Sequence, residues 1–246
     1  MRLSNKIAIV TGGGSGIGRG IALAFAHEGA KVVIAGRTQE KLDHVAQEIG
    51  SNCLPVQTDT GNPQDINKLV EKTVAHFGCL NVLVNNAALL LPGTAESHTE
   101  DEWEQMFNVN VRGIWQLCRA AMPHLRAAGG GSIINIASVL SMVAARNRVG
   151  YTATKGAVLA MTRAIALDHA AEKIRVNCIC PGIVDTEMVA RFSLDENARR
   201  QRIAMHPLGR FGQPEDIAQA AVFLAGDESS WITGAAFPID GGYTAQ

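Results

Sequence analysis

Strand-sized apolar runs alternate with longer stretches of helical periodicity along nearly the whole chain. The runs predict seven strands, at residues 6–11, 31–35, 53–58, 81–85, 132–137, 174–179 and 236–239. Apolar positions at helical spacing predict helices at residues 17–28, 39–49, 63–77, 100–127, 151–171 and 214–225. Strands that alternate with helices are typical of parallel βαβ units. We therefore expect the α/β class, with a doubly wound parallel sheet of seven strands and helices on both faces.

We expect a single domain over residues 1–246, because no linker, repeat or low-complexity tract interrupts this alternation. The 47% hydrophobic content is enough for a sizeable core. One segment, residues 186–213, lacks the rhythm of strand and helix, is rich in Arg and carries Met188, Phe192 and Met205. We interpret it as a mobile insertion that covers a substrate pocket, the alternative being a helical excursion on the surface.

Charge and cysteine usage narrow the classes of partner. A net charge of −1 and a sequence pI of about 6.7 give no reason to expect nucleic acid or an anionic membrane. The apolar runs are too short to span a membrane, and no signal-peptide core precedes the first strand. Five cysteines without Cys-x-x-Cys spacing predict reduced core residues, and seven scattered histidines argue against a catalytic zinc. We expect a cytoplasmic protein that acts on small molecules.

A glycine-rich turn, Thr-Gly-Gly-Gly-Ser-Gly-Ile-Gly, directly follows the first predicted strand. Gly12, Gly16 and Gly18 are spaced G-x-x-x-G-x-G, which departs from the G-x-G-x-x-G pattern. Glycines at this position let backbone N–H groups at a helix N-terminus approach a pyrophosphate closely. The turn predicts a Rossmann-like dinucleotide site that also includes Ser15 and Ile17.

Arg37, at the end of the second strand, bears on the choice of dinucleotide. NAD sites of this architecture often place an acid about 20 residues beyond the glycines, on the ribose 2′-hydroxyl. The segment Ala-Gly-Arg-Thr around Arg37 has no acid. A guanidinium can stack on adenine and bind phosphate oxygens, so we expect NADP(H). The alternative is that Arg37 is a solvated residue at a helix start and that NAD(H) also serves.

Polar residues follow two further strands. Asp59 and Thr60 come after the third strand, and Asn86 and Ala87 come after the fourth. Ligands of doubly wound sheets bind outside the carboxyl ends of the strands. We therefore expect these residues near adenine and the nicotinamide ribose.

Tyr151 and Lys155 lie four residues apart in a predicted helix, so a phenol and an ammonium share one face. A tyrosine ordinarily titrates near pH 10, and we expect the adjacent cation to lower its pKa toward the working range. Ser138 ends the fifth strand and can reach the same crevice, where its hydroxyl can donate to a substrate carbonyl. Asn110 falls in an apolar helical stretch where Asn is mildly disfavoured, which favours a buried, hydrogen-bonded role.

In this order, the glycine turn and the polar residues after it resemble the short-chain dehydrogenase/reductase family over essentially the whole chain. The residues that carry the resemblance are Gly12, Gly16, Gly18, Asn86, Ala87, Asn110, Ser138, Tyr151, Lys155, Pro181 and Gly182. The family's Asn-Asn-Ala-Gly motif is here Asn-Asn-Ala-Ala, so Ala88 adds a methyl group near the nicotinamide.

The resemblance implies hydride transfer between NADP(H) and a carbonyl or secondary alcohol. It implies that Tyr151 is the general acid/base and that Lys155 lowers the pKa of Tyr151 and binds the nicotinamide ribose. It implies further that Ser138 holds the substrate oxygen and that Asn110 supports a proton-relay water. The segment implied to face the nicotinamide carboxamide comprises Pro181, Gly182, Ile183, Val184 and Thr186.

Substrate identity is the least explicit part of the sequence. Apolar residues between Ser138 and Tyr151, Leu140 among them, predict an apolar wall, to which Met188 of the insertion can add. Arg148 can bind a substrate carboxylate, as in relatives that act on hydroxy acids, or can have a structural role in which it bonds backbone or solvent. We favour the structural role.

A carbonyl reductase or secondary-alcohol dehydrogenase is the leading functional hypothesis. A 3-oxoacyl thioester reductase and a dehydrogenase of a hydroxy acid are alternatives. A non-catalytic cofactor-binding protein is disfavoured, because a binding module needs no acid/base.

The C-terminal sequence Gly-Gly-Tyr-Thr-Ala-Gln resembles a family segment that packs at a tetramer interface, which implies a homotetramer. Some relatives with a similar ending bind a divalent cation there. The resemblance makes Gln246 a candidate ligand of a structural Mg²⁺.

Overall fold

A computed structural model describes residues 1–190 and 195–246, so Phe192 lies outside the described residues. The strands are β1 Ile7–Thr11, β2 Lys31–Gly36, β3 Cys53–Gln57, β4 Val82–Asn85, β5 Gly131–Ile136, β6 Ile174–Pro181 and β7 Ala236–Ile239. They form one parallel sheet in the order β3-β2-β1-β4-β5-β6-β7. The order reverses between β1 and β4, so the prediction of a doubly wound α/β sheet is confirmed.

The helices are α1 Gly16–His27, α2 Gln39–Ile49, α3 Pro63–Phe77, α4 Glu100–Phe107, α5 Gly113–Ala127, α6 Val149–His169, α7 Glu187–Ala190, α8 Glu196–Ala204 and α9 Pro214–Ala225. Proline occupies the first turn of α3 and of α9, where its missing N–H costs no helical hydrogen bond. Asn62 caps α3 by accepting a hydrogen bond from the Gln64 N–H at 2.9 Å.

The predicted helical stretch over residues 100–127 is helical throughout, but a π-helical turn, Asn108–Arg112, which was not predicted, separates α4 from α5. The amide of Asn108 donates to the Gly61 carbonyl at 3.1 Å. A Cβ at Gly113 would lie 2.4 Å from the Thr60 carbonyl oxygen. These tertiary contacts with the loop after β3 accompany the change of helical register, and none of them is visible in apolar periodicity.

Helices cover both faces of the sheet, and successive strand residues supply the two cores. Ile9 and Val33 pack in the core with α3, α5 and α6, whereas Val10 and Ile34 pack in the core with α1, α2 and α9. Burial of one large side chain such as Phe25 contributes roughly 1.5–3 kcal/mol. This packing fixes the carboxyl ends of the strands at one edge, where the site lies.

No helix in the described part of the chain is both long and apolar enough to cross a bilayer. All five cysteines are free thiols. Cys118, Cys178 and Cys180 are buried as predicted, whereas Cys53 and Cys79 are partly exposed at the periphery of the fold.

Candidate active site

A cleft with two lobes opens at the carboxyl edge of the sheet. The first lobe, about 280 Å³, lies against the turns after β1, β2 and β3, and the second lobe, about 320 Å³, lies between β5, α6 and the segment after β6. Residues that line both lobes are Ile17, Asn86, Ala88, Thr186 and Met188. The lobes are therefore continuous, and one elongated ligand can reach both.

Most of the predicted cofactor residues meet in the first lobe. These are Gly12, Ser15, Gly16, Ile17, Arg37, Asp59, Thr60, Asn86, Ala87 and Thr186. Sequence reasoning missed Gly14, Gly36, Thr38, Lys41, Leu42, Thr58, Leu89, Val109 and Glu187. Several of these residues are adjacent in sequence to predicted ones, and this adjacency could have identified them. Glu187 lies between Thr186 and Met188, which were both predicted, whereas Lys41 carried no such signal.

The glycine turn fits a pyrophosphate group. Gly12 and Gly16 have φ angles of +65° and +51°, a region that favours glycine. A Cβ at Gly16 would lie 3.1 Å from the Thr186 Cγ2 atom and would fill the space between the turn and the segment after β6. Ser15 precedes α1 without a side-chain cap, and the first turn of α1 carries no acid. The positive end of α1 is thus left to an anion in the cleft.

Gly18 does not line either lobe, which corrects its predicted contact with the cofactor. It is buried under the turn, and a Cβ there would lie 2.2 Å from the Gly12 carbonyl oxygen and 2.5 Å from the Asn86 Nδ2 atom. Its role is close packing of α1 against the glycine turn.

Asn86 holds the glycine turn in place. Its side-chain amide donates to the Thr11 carbonyl at 2.9 Å. The backbone N–H groups of Asn86 and Ala87 donate to the Thr11 hydroxyl at 3.0 and 3.1 Å. Asn86 therefore lines both lobes while its amide is committed to the first βα turn, a contact that sequence order did not reveal.

Two cationic side chains, Arg37 and Lys41, line the first lobe together with two acidic ones, Asp59 and Glu187. Arg37 is exposed, and its guanidinium has no hydrogen bond or ion pair with any described residue. Lys41 forms an ion pair with Glu187, which joins α2 to the start of α7. Asp59 lines the same lobe, and one of its carboxylate oxygens accepts from the Gly61 N–H at 2.9 Å.

Ser138, Tyr151 and Lys155 meet in the second lobe. Ser138 follows β5, and the other two lie on the first turns of α6. Their exposed fractions are 9%, 8% and 1%, and the Tyr151 phenol forms a hydrogen bond with Ser138. Lys155 Nζ donates to the Ile136 carbonyl at 2.7 Å and lies 5.5 Å from the centroid of the Tyr151 ring. A hydroxyl, a phenol and a buried cation thus converge at one point.

The expected lowering of the Tyr151 pKa is wrong for the protein alone. Burial raises the pKa of Tyr151 to about 12, and the hydrogen bond of Ser138 and the charge of Arg148 oppose this rise only in part. Burial lowers the pKa of Lys155 to about 8, although the neighbouring Cys180 and Cys178 act to raise it. The spacing of Tyr151 and Lys155 correctly placed the two groups together but carried no information on how strongly each is desolvated.

Asn110 is fully buried and lines neither lobe. Its side-chain oxygen accepts from the Leu89 N–H at 2.7 Å, and its amide donates to the Leu89 carbonyl at 2.8 Å and to the Thr154 hydroxyl at 3.1 Å. The predicted buried role is correct. The side chain does not reach the cleft, because these bonds tie the π-helical turn to the segment after β4 and to α6.

The second lobe contains the other predicted residues, namely Pro181, Gly182, Ile183, Val184, Leu140, Arg148 and Met188. Val139 and Ala145 of the predicted apolar wall and Met205 of the segment 186–213 also line it, whereas sequence reasoning did not single out Leu90, Ile136, Ala137, Arg146, Val189, Arg202 or Tyr243. Arg202 comes from α8 and Tyr243 from the C-terminal segment. Only the fold brings these distant segments to the cleft.

Gln246 is exposed, and its side-chain amide donates to the Met205 carbonyl at 3.0 Å. Residues 1–190 and 195–246 contain no group of three His, Cys, Asp or Glu side chains that could hold a metal ion. One amide oxygen and a terminal carboxylate fall well short of the octahedral oxygen set of Mg²⁺. The described residues of a single chain therefore do not supply the ligands of the predicted Mg²⁺ site.

Comparison with known proteins gives consistent matches along the chain. A family model described as enoyl-(acyl carrier protein) reductase matches residues 12–244. The 3-oxoacyl-[acyl-carrier-protein] reductase FabG of Thermotoga maritima is 37% identical over 245 residues, 98% of this chain and 99% of the relative. The NADP-dependent (R)-specific alcohol dehydrogenase of Lentilactobacillus kefiri is 40% identical over 250 residues, 100% of this chain and 99% of the relative. The cis-4-hydroxycyclohexanecarboxylate dehydrogenase of Sinomonas cyclohexanicum is 38% identical over 247 residues, 98% of each chain.

Proposed function

This chain belongs to the short-chain dehydrogenase/reductase family, and from that premise we propose that it is an NADP(H)-dependent carbonyl reductase or secondary-alcohol dehydrogenase. The observation that carries the proposal is the convergence of Ser138, Tyr151 and Lys155 in a lobe continuous with the dinucleotide cleft. The relative from Lentilactobacillus kefiri is named for both NADP and alcohol oxidation, which supports the same assignment.

The chain's own residues supply the proton chemistry. When bound, the nicotinamide supplies or accepts the hydride. Tyr151 donates the proton to the substrate oxygen in reduction, and Ser138 donates a hydrogen bond to the same oxygen as negative charge develops on it. The ammonium of Lys155 stabilises the phenolate that Tyr151 becomes. Asn110 acts as a positioning residue, because its bond to Thr154 fixes the residue immediately before Lys155.

Other residues hold the cofactor. The amides at the start of α1, around Ser15 and Gly16, bind the pyrophosphate. Asp59 and Thr60 border the adenosine end. The segment from Pro181 to Val184, together with Thr186, borders the nicotinamide end.

Arg37 is proposed to bind the 2′-phosphate of NADP(H), since it is an uncommitted cation that lines the first lobe. We expect Arg37→Met to lower kcat/KM for NADPH by about 10- to 100-fold, the scale of one charge-assisted bond, and to leave NADH turnover nearly unchanged. Steady-state kinetics with both cofactors measures the effect. Lys68→Met, which removes an exposed cation of α3, is the control. Equal kcat/KM values for NADPH and NADH in the unmodified protein would remove the NADP preference.

Residues 186–213 are proposed to cover the substrate. The ends of this segment are held together, because the Asp185 N–H donates to the Gly212 carbonyl at 2.8 Å and the Gly212 N–H donates to the Ile183 carbonyl at 2.9 Å. Met188, Met205 and Arg202 line the second lobe, and the ion pair of Lys41 with Glu187 ties the segment to α2.

A homotetramer is proposed from exposed apolar surface on α4 and α5. Trp103 and Trp115 are 38% and 45% exposed and border a groove with Phe107, Val111 and Met161. Such patches mark interfaces more often than free surface. We expect Trp115→Glu to reduce the mass found by analytical ultracentrifugation toward the 26.1 kDa of one chain. Asn67→Glu, on exposed α3 surface, adds the same charge and should keep the assembly. An unchanged mass in the Trp115 variant would exclude this face as the interface.

A cytoplasmic location is proposed from the five free thiols, because cysteines stay reduced in that compartment. The Mg²⁺ hypothesis gains no support from a single chain, and no step of the reaction depends on it.

Two narrower functions rest on the relatives' names. The Thermotoga maritima relative favours a 3-oxoacyl thioester reductase, and the Sinomonas cyclohexanicum relative favours a dehydrogenase of a hydroxy acid. A panel of simple ketones, an acetoacetyl thioester and keto acids, each with NADPH and with NADH, separates these candidates. A protein that binds NADPH but oxidises it with no carbonyl of the panel is not the proposed enzyme.

A further inference from the structure

Three arginines line the second lobe. Arg146 and Arg148 come from the loop before α6, and Arg202 comes from α8. No Asp or Glu is among the described residues that line this lobe. The chain as a whole is nearly neutral, so this concentration of positive charge is local.

The loop that carries Arg148 is built to hold it. Asn147 adopts a φ of +60°, which is uncommon for a residue with a side chain, and its carbonyl accepts from the Gly93 N–H at 3.1 Å and from Arg148 Nη1 at 2.7 Å. The Val149 N–H donates to the Gly93 carbonyl at 3.3 Å. Arg148 is therefore oriented by backbone contacts before any ligand arrives.

Arg148 and Arg202 line the same lobe, so their positive charges share one space. Arg148 is partly buried, and burial together with the charge of Arg202 lowers its pKa. Arg202 is also partly buried and makes no ion pair with a described carboxylate. Two guanidinium groups that line one partly desolvated space can both bind an anion placed between them.

We propose that the second lobe binds carbonyl or alcohol substrates that carry a carboxylate, and that Arg148 and Arg202 hold this group while Arg146 borders the entrance. The proposal deepens the proposed function and rests on it for the reacting end of the substrate. Ser138 and Tyr151 hold the carbonyl oxygen, and apolar side chains such as Leu140 and Met205 line the lobe and favour a hydrocarbon linker.

A matched pair of ketones tests the proposal with NADPH: 4-oxocyclohexanecarboxylate and the uncharged 4-methylcyclohexanone. We expect Arg202→Met to raise KM for the carboxylate by about 10- to 100-fold, with KM for the neutral ketone changed by less than about twofold. Arg202→Lys should recover part of the loss. Arg200→Met removes an exposed charge of the same helix outside the lobe and should behave as the unmodified protein. Equal changes in KM for both ketones would overturn the proposal.

Calorimetry separates anion binding from turnover. Titration of the NADP⁺-loaded protein with cyclohexanecarboxylate and with cyclohexanecarboxamide needs no reaction. The proposal is supported if the affinity for the carboxylate exceeds that for the amide about tenfold and if Arg202→Met abolishes carboxylate binding. This holds even if neither ketone is reduced, since in that case only the proposed activity fails. Binding of the amide as tightly as the carboxylate, or no binding of either, contradicts the anion subsite while leaving the reductase assignment intact.

Discussion

Replacing Tyr151 with phenylalanine is expected to lower kcat for carbonyl reduction by about 10³-fold, within the 10²- to 10⁴-fold range of general acid catalysis. Tyr151 is a protonated phenol at neutral pH, because burial raises its pKa to about 12, and it shares a hydrogen bond with Ser138. Phenylalanine keeps the ring and removes only the proton donor. Single-turnover oxidation of bound NADPH, followed by absorbance, measures the step directly.

The variant should still fold and bind NADPH with an affinity close to that of the unmodified protein, since the ring of Tyr151 stays packed at the start of α6. Thermal unfolding and quenching of protein fluorescence by NADPH provide these controls. A kcat within about threefold of the unmodified protein would assign the proton to another group and remove Tyr151 from the mechanism.

Lys155→Met is expected to lower kcat for reduction by about 10²- to 10³-fold, because the buried ammonium no longer stabilises the phenolate of Tyr151. In the unmodified protein the pKa of Lys155 is lowered to about 8, so kcat/KM for reduction should be level below pH 8 and fall as pH rises through that value. The variant should lack this inflection. A pH–rate profile recorded for both proteins is the test, with Lys72→Met, an exposed lysine of α3, as the control.

The same shift has a consequence for stability, with a definite sign. The pKa of Lys155 lies at about 8 in the folded protein and near its usual 10.5 in the unfolded chain, so between these values the folded state binds fewer protons. Raising the pH through this window therefore stabilises the unmodified protein relative to Lys155→Met, by up to about 3 kcal/mol. Urea unfolding of both proteins at pH 7 and pH 10 measures the difference. A difference that stays constant between the two pH values would show that Lys155 is not desolvated as described.

Tyr151 and Lys155 also show which properties of a site can be predicted from local sequence. Tyr151 and Lys155 were placed on one helix face by their spacing, and Ser138 was placed beside them because the carboxyl ends of parallel strands share an edge. The same reasoning assigned the wrong direction to the pKa of Tyr151. Spacing along a helix fixes which groups are neighbours, whereas the degree of burial depends on the elements packed around them.

Asn110 and Gly18 illustrate a second kind of difference. The sequence correctly gave Asn110 a buried, bonded position, but its partners Leu89 and Thr154 are distant in the chain and direct its side chain away from the cleft. Gly18 was assigned to the cofactor by its place in the glycine pattern. The close approach of the Gly12 carbonyl instead makes it a packing residue.

The sequence by itself determined the α/β class, the seven strands and the position of the dinucleotide turn, since hydrophobic period, proline and glycine act over a few neighbouring residues. Only the tertiary structure decided the charge of the second lobe and the ion pair that joins α2 to α7 at the first lobe. Arg202 lines the same lobe as Arg146 and Arg148, and Glu187 pairs with Lys41, although these residues are far apart in sequence. Such contacts depend on where α7 and α8 lie in the fold, and the hydrophobic period of those segments does not encode that position.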